Sequence, residues 1–182
     1  MNDLEKGVSG KKIEKPPVLY HASHDRNRED FTPQRHSYRD EEEGPVIFAT
    51  PNFAIATLFL VRGMPNECGA FNKIPYMVIP NREKFLQADK GGAVYSLPSE
   101  TFNSDPKKGL GELEWVSKET VNPAAKQEFE SGLEAMIENG VQVYFVDEEK
   151  FQEIRNSTDH GLSILKTLQS ENQLLNKNVV EF

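Results

Sequence analysis

The chain has 182 residues, 29 acidic and 21 basic, for a net charge of −8, and a single cysteine. That length suggests one domain with tails, long enough to bury a core without staples. The acidic balance, with no basic cluster beyond Lys11-Lys12 and Lys107-Lys108, argues against non-specific nucleic-acid binding, which needs basic surface.

Taken in order, residues 1–16 are polar and aperiodic and read as a flexible N-terminal tail. The run Val18-Leu19-Tyr20-His21-Ala22-Ser23 reads as a strand. Residues 24–43 form a long polar loop with Arg26, Arg28, Arg35 and Arg39 among acids, ending in Asp40-Glu41-Glu42-Glu43, a run most simply read as solvated. Residues 44–60 then read as strand, turn and helix. Val46-Ile47-Phe48 is apolar and β-favouring, Thr50 can cap, and Pro51 suits the first helical position. The helix carries Ile55, Leu58 and Phe59 on one face and enough apolar residues elsewhere to be buried nearly all round. Its free N–H groups beside Thr50 would offer a place for a polar or anionic ligand.

Residues 63–72 read as a loop, Ile74 to Ile79 as a strand, and 81–90 as either a short helix or a strand. Ala93 to Leu97 and Leu113 to Ser117 read as further strands. On a strand, Glu112 and Glu114 would share a face, where two like charges raise each other's pKa unless solvated or put to use. Asn122-Pro123 looks like a helix start. The spacing of Phe129, Leu133, Met136 and Ile137 then predicts a helix over 124–139, stopped by Gly140. Residues 141–146 read as a strand, and Asp147 caps a short helix with Phe151 and Ile154 inward. Residues 158–182 form an amphipathic segment that could dock as a helix, contact a partner or stay loose. The expected organisation is thus a tail (1–16), one domain (17–157) and a C-terminal segment (158–182), with an α+β fold of mainly antiparallel strands.

Cys68 alone precludes an intramolecular disulfide and argues against a cysteine-based metal site. His21 and His24 lack a nearby third ligand, so no metal is expected. No apolar run reaches about 18 residues and no signal-peptide core opens the chain, so no membrane association is expected. The expectation is a soluble cytoplasmic protein; export as an effector, by a machine that needs no cleaved signal, stays open.

Three stretches in order carry a resemblance. Leu19-Tyr20-His21-Ala22-Ser23, Ile47-Phe48-Ala49-Thr50-Pro51-Asn52-Phe53-Ala54, and the run from Glu114-Trp115-Val116-Ser117 to Val121-Asn122-Pro123 together resemble the ADP-ribosyltransferase superfamily. The likeness is to its branch with a His, an aromatic or hydroxyl residue, and a Glu, the diphtheria-toxin-like branch, and it covers residues 18–123. Ala22 stands where many relatives have Gly, and Gly44 is followed by Pro45.

The resemblance implies a fold of split antiparallel sheets with flanking helices, NAD as substrate, and cleavage between nicotinamide and ribose. It places His21 on the adenosine-side ribose and the backbone of Ala22 on the nicotinamide carboxamide. The aromatic residue on nicotinamide would be Phe48 or Tyr95, with Thr50 or Phe53 nearby. Glu114 would bind the 2′-hydroxyl of the nicotinamide ribose and stabilise the cationic sugar in the transition state. Glu112 would position or deprotonate the acceptor, which could be protein, nucleic acid or water. The alternative is the same fold kept as a non-catalytic binding or structural module, in a phage or effector setting.

Overall fold

Strand β1 (Val18–Ser23) has two working faces, because successive side chains alternate. Leu19 points into one apolar cluster with Phe31, Tyr95, Leu97, Phe102 and Trp115. Tyr20 and Ala22 point the other way, toward Ala56, Leu60, Val94 and Phe129. The period of two puts His21 on the Leu19 face. The computed structural model that shows this describes residues 14–71, 73–159, 161–172 and 179–181. Most of the expected N-terminal tail, residues 1–13, and Leu174 and Leu175 of the C-terminal segment lie outside the described residues.

The described residues form an α+β fold of three sheets and five helices. β1 pairs antiparallel with β5 (Gly92–Pro98), which pairs antiparallel with β7 (Ala125–Phe129). β2 (Ile47–Ala49) and β6 (Trp115–Ser117) make a short antiparallel ribbon. β3 (Glu67–Phe71), β4 (Ile74–Pro80), β8 (Gln142–Val146) and β9 (Val179–Glu181) form a mixed sheet, with β4–β8 and β8–β9 parallel. This sheet departs from the mainly antiparallel expectation. The long connection from β4 through β5 and β7 to β8 is what permits a parallel pair.

The mixed sheet is apolar on both faces, as a covered sheet must be. Met77, Ile79, Val143 and Phe145 pack against α1 (Phe53–Leu58), α2 (Arg82–Ala88) and α3 (Gly132–Glu138). Tyr76, Val78, Tyr144 and Val146 pack against α4 (Glu148–Asn156) and α5 (Leu162–Asn172). Leu165 and Leu168 are buried there, so the start of the C-terminal segment docks as a helix. No helix among the described residues is long and apolar enough to cross a membrane.

Four local expectations give way. The predicted helix over 124–139 is a strand, β7, followed by the shorter α3. Pairing with β5 overrides the helical spacing, and the cap of α3 is Ser131, whose Oγ accepts from Glu134 N at 3.2 Å. The loop expected over 63–72 contains β3, an edge strand on β4. Glu112 sits in a 3₁₀ turn (Gly111–Leu113), so it does not share a strand face with Glu114. Finally, α1 has six residues and is capped by Asn52, which accepts from Ile55 N at 3.2 Å, while Thr50 Oγ1 accepts from Asn52 N at 3.2 Å. The local turn takes up those groups, and Phe59 is exposed past the helix end. So short a helix, with its cap filled, does not present the anion site expected beside Thr50.

Candidate functional site

Main-chain pairing joins the three stretches that the sequence holds far apart. Tyr20 N donates to Thr50 O at 2.8 Å, and Thr50 N donates to Tyr20 O at 3.0 Å. This isolated bridge fastens β1 to the end of β2. β2 then pairs with β6 in the register Ile47–Ser117, Phe48–Val116 and Ala49–Trp115. Continued by one residue, that register sets Glu114 across from Thr50.

His21 reinforces the junction. Its Nδ1 donates to Phe48 O at 2.6 Å. A carbonyl can only accept, so the proton sits on Nδ1 and Nε2 is the open acceptor of the neutral ring. The ring also meets Phe31 edge-on at 4.7 Å. Burial lowers the His21 pKa; the Phe48 carbonyl opposes this, and the charges of Arg28 and Arg62 add to the lowering. The net effect favours the neutral imidazole. Ala22 lies two residues from Tyr20, so the pleat aims its N–H and C=O at the same edge as the bridge to Thr50.

Glu114 is extended, immediately before β6. Its carboxylate lies against Arg39, with Oε1 3.7 Å from Arg39 Nη1. Arg39 is committed elsewhere: Nε donates to Glu43 Oε2 at 2.8 Å and Nη2 to Glu43 Oε1 at 2.5 Å. This bidentate fork neutralises Arg39, raising its pKa and lowering that of Glu43. Glu114 gets only the remainder. Burial raises its pKa, and the attraction of Arg39 and a hydrogen bond from the Leu110 backbone offset this only in part. Arg39 Nη1 and Glu114 Oε1 are both buried, and neither has a hydrogen-bond partner. Each such orphan costs about 1–3 kcal/mol against a satisfied one.

A loop closes over this pair. Gly109 has φ of 52°, and a Cβ there would stand 2.0 Å from Glu114 Oε1. Only glycine lets the backbone run this close to the carboxylate. Lys108, beside it, pairs with Asp40 across 2.5 Å. The acidic run thus contributes two structured carboxylates, Asp40 and Glu43, where a solvated loop was expected.

The other expected site residues fall as follows. Phe48 is half-buried on the face of β2 opposite Ile47 and Ala49. Thr50 is buried, with its hydroxyl in the turn. Phe53 packs edge-on against Tyr20 at 5.1 Å. Tyr95 is 1 % exposed and is not available to stack on a ligand. Its hydroxyl donates to Asp25 O at 2.7 Å and accepts from Arg28 N at 3.0 Å, tying the long loop to β5. Glu112 is exposed, and its carbonyl accepts from Trp115 Nε1 at 3.1 Å. Arg39, Glu43 and Gly109 were not singled out by sequence. The one available signal was the four-residue spacing of Arg39 and Glu43.

A small groove with a cavity volume of about 60 Å³ lies elsewhere, on the α5 side of the mixed sheet, lined by residues that include Phe71, Tyr76, Tyr144, Leu165 and Lys166. It includes none of His21, Phe48 and Glu114. No family model, curated protein or solved structure matches the chain.

Proposed function

We propose that this protein is a mono-ADP-ribosyltransferase-like enzyme that cleaves NAD between nicotinamide and ribose and passes ADP-ribose to an acceptor. One observation carries the reading. The segments holding His21, Phe48 and Glu114 are adjacent in space, joined by the Tyr20–Thr50 bridge and the β2–β6 pairing. In this reading neutral His21 accepts a hydroxyl of the adenosine-side ribose at Nε2. The Ala22 backbone holds the carboxamide, and Phe48 stacks on the nicotinamide ring. The bond from ribose C1′ to the nicotinamide nitrogen breaks with its electron pair leaving on nicotinamide. The carboxylate of Glu114 stabilises the cationic ribose, more strongly for being shielded from water. An acceptor oxygen or nitrogen then bonds to C1′ and loses its proton to solvent. Glu112, off the strand, has no part in these steps.

The alternative, a binding or structural module without catalysis, draws on a different observation: Gly109 covers Glu114 Oε1. Incubation with labelled NAD separates the two. The enzyme releases nicotinamide, and Glu114→Gln lowers the rate on the order of 10²–10³-fold. Release no greater than in that variant, with protein and nucleic-acid acceptors present, would sink the catalytic reading.

A further inference from the structure

We propose that Arg39 is a substrate-binding residue which, together with Glu114, holds a single hydroxyl group of the ligand between Nη1 and Oε1. Between these two atoms lies a gap that the side chains cannot close themselves. Nη1 and Oε1 are 3.7 Å apart, too far for a hydrogen bond. The guanidinium is planar and rigid, and two of its nitrogens are fixed on Glu43. Swinging Nη1 onto Glu114 would break that fork. The Arg39 side chain is 8 % exposed, and both facing atoms are buried without a partner.

The chemistry of the gap restricts its occupant to a neutral group that both donates and accepts. One side is a donor with no lone pair and the other an acceptor with no proton. A phosphate oxygen would suit Arg39 and be repelled by Glu114. An ammonium would suit Glu114 and be repelled by Arg39. A hydroxyl suits both, donating to Oε1 while accepting from Nη1. An oxygen about 2.8 Å from each atom fits between two atoms 3.7 Å apart. A sugar hydroxyl has this character, and on the reading of Glu114 above it is the 2′-hydroxyl of the nicotinamide ribose. The covering loop places a condition on entry. Gly109 must move off Glu114, and the Lys108–Asp40 pair beside it must part.

The test compares binding of NAD with binding of the analogue lacking that 2′-hydroxyl, by calorimetry on the full chain. Wild type prefers NAD by about ten- to a hundredfold, the worth of a hydroxyl bonded to charged partners. Arg39→Lys keeps the charge but loses the fork, and the preference falls to about threefold or less. Glu43→Gln frees the fork to close on Glu114 directly, and lowers the preference in the same way. A wild-type preference under about twofold overturns the proposal. So does a full preference kept in whichever of the two variants folds. If wild type binds neither ligand, the NAD reading fails as well, which sets that failure apart from loss of the Arg39 assignment alone.

Discussion

Tyr20 and Thr50 exchange both main-chain hydrogen bonds, and the His21 ring locks the same junction from the side through Phe48 O. The ring works as a neutral donor, so its contribution depends on pH. Its folded pKa is lowered by burial, with Arg28 and Arg62 adding to the effect. The unfolded ring takes up a proton near pH 6.5, before the folded one does. The stabilisation is therefore complete above that pH and is lost as pH falls through the folded pKa. The thermal midpoint of wild type should drop between about pH 7 and pH 5 more steeply than that of His21→Gln. Parallel profiles for the two proteins would refute this.

Asp89 fastens the start of α3. Its carboxylate accepts from Gly132 N at 2.7 Å, Ser131 Oγ at 2.7 Å, Leu133 N at 3.0 Å and Gly91 N at 3.0 Å. Burial raises its pKa, but the four hydrogen bonds outweigh that and the net shift is downward. Asp89→Asn keeps one acceptor and turns an N–H toward other donors. It should cost roughly 2 kcal/mol by urea unfolding at neutral pH, allowing for partial exposure. Because the folded pKa is lowered, the contribution is present above the unfolded carboxylate pKa and is lost as pH falls through the folded one. The gap between variant and wild type should therefore shrink toward pH 3.

Gly109 and Gly111 make an internal control. Both have left-handed φ, 52° and 59°. Alanine at either costs about 1 kcal/mol in backbone strain. At Gly111 the nearest atom to a new Cβ is 3.6 Å away, whereas at Gly109 it is Glu114 Oε1 at 2.0 Å. Gly109→Ala must displace the carboxylate, which would lower nicotinamide release, or the loop, which would uncover Glu114 and raise it; either way it should change the rate far more than Gly111→Ala does. Equal rates in the two variants would show that the contact with Glu114 has no consequence for activity.

Lys108 and Asp40 are both half-buried, their side chains 40 % and 36 % exposed, and an ion pair this open to solvent adds little to global stability. Asp40→Asn should leave the thermal midpoint where it is. Trypsin should nevertheless cut faster after Lys107 or Lys108, because the segment over Glu114 opens more often. Unchanged cleavage kinetics would mean that the pair does not hold the loop.

Elements whose partners are local or whose pattern is two-faced were legible in the sequence. β1, β4, β5 and β8 alternate or run apolar, and Asp147 caps α4 as its position suggests, accepting from Lys150 N at 2.7 Å. β7 was hidden because only Phe129 of its five residues is buried. An edge strand whose side chains are mostly in water carries no alternation, and the Asn122-Pro123 start signal pointed to a helix instead. The site divides in the same way. His21, Phe48 and Glu114 could be noticed one by one from their motifs. Arg39 and Glu43 sit in a run of charges that looks solvated, and what sets them apart is the approach of Glu114 to Arg39. That approach is a tertiary contact between segments about 70 residues apart, which no local pattern records.

On the proposed reading, the loop over Glu114 would set the timing of turnover. If this carboxylate is uncovered only when Lys108 leaves Asp40, then each cycle would wait on an event whose barrier is partly ionic. Salt weakens an ion pair open to solvent, and it also weakens the repulsion between a chain of net charge −8 and an anionic dinucleotide. Both effects act in the same direction, so the rate of NAD capture should rise with ionic strength, opposite to the trend for an enzyme that draws its substrate in by charge.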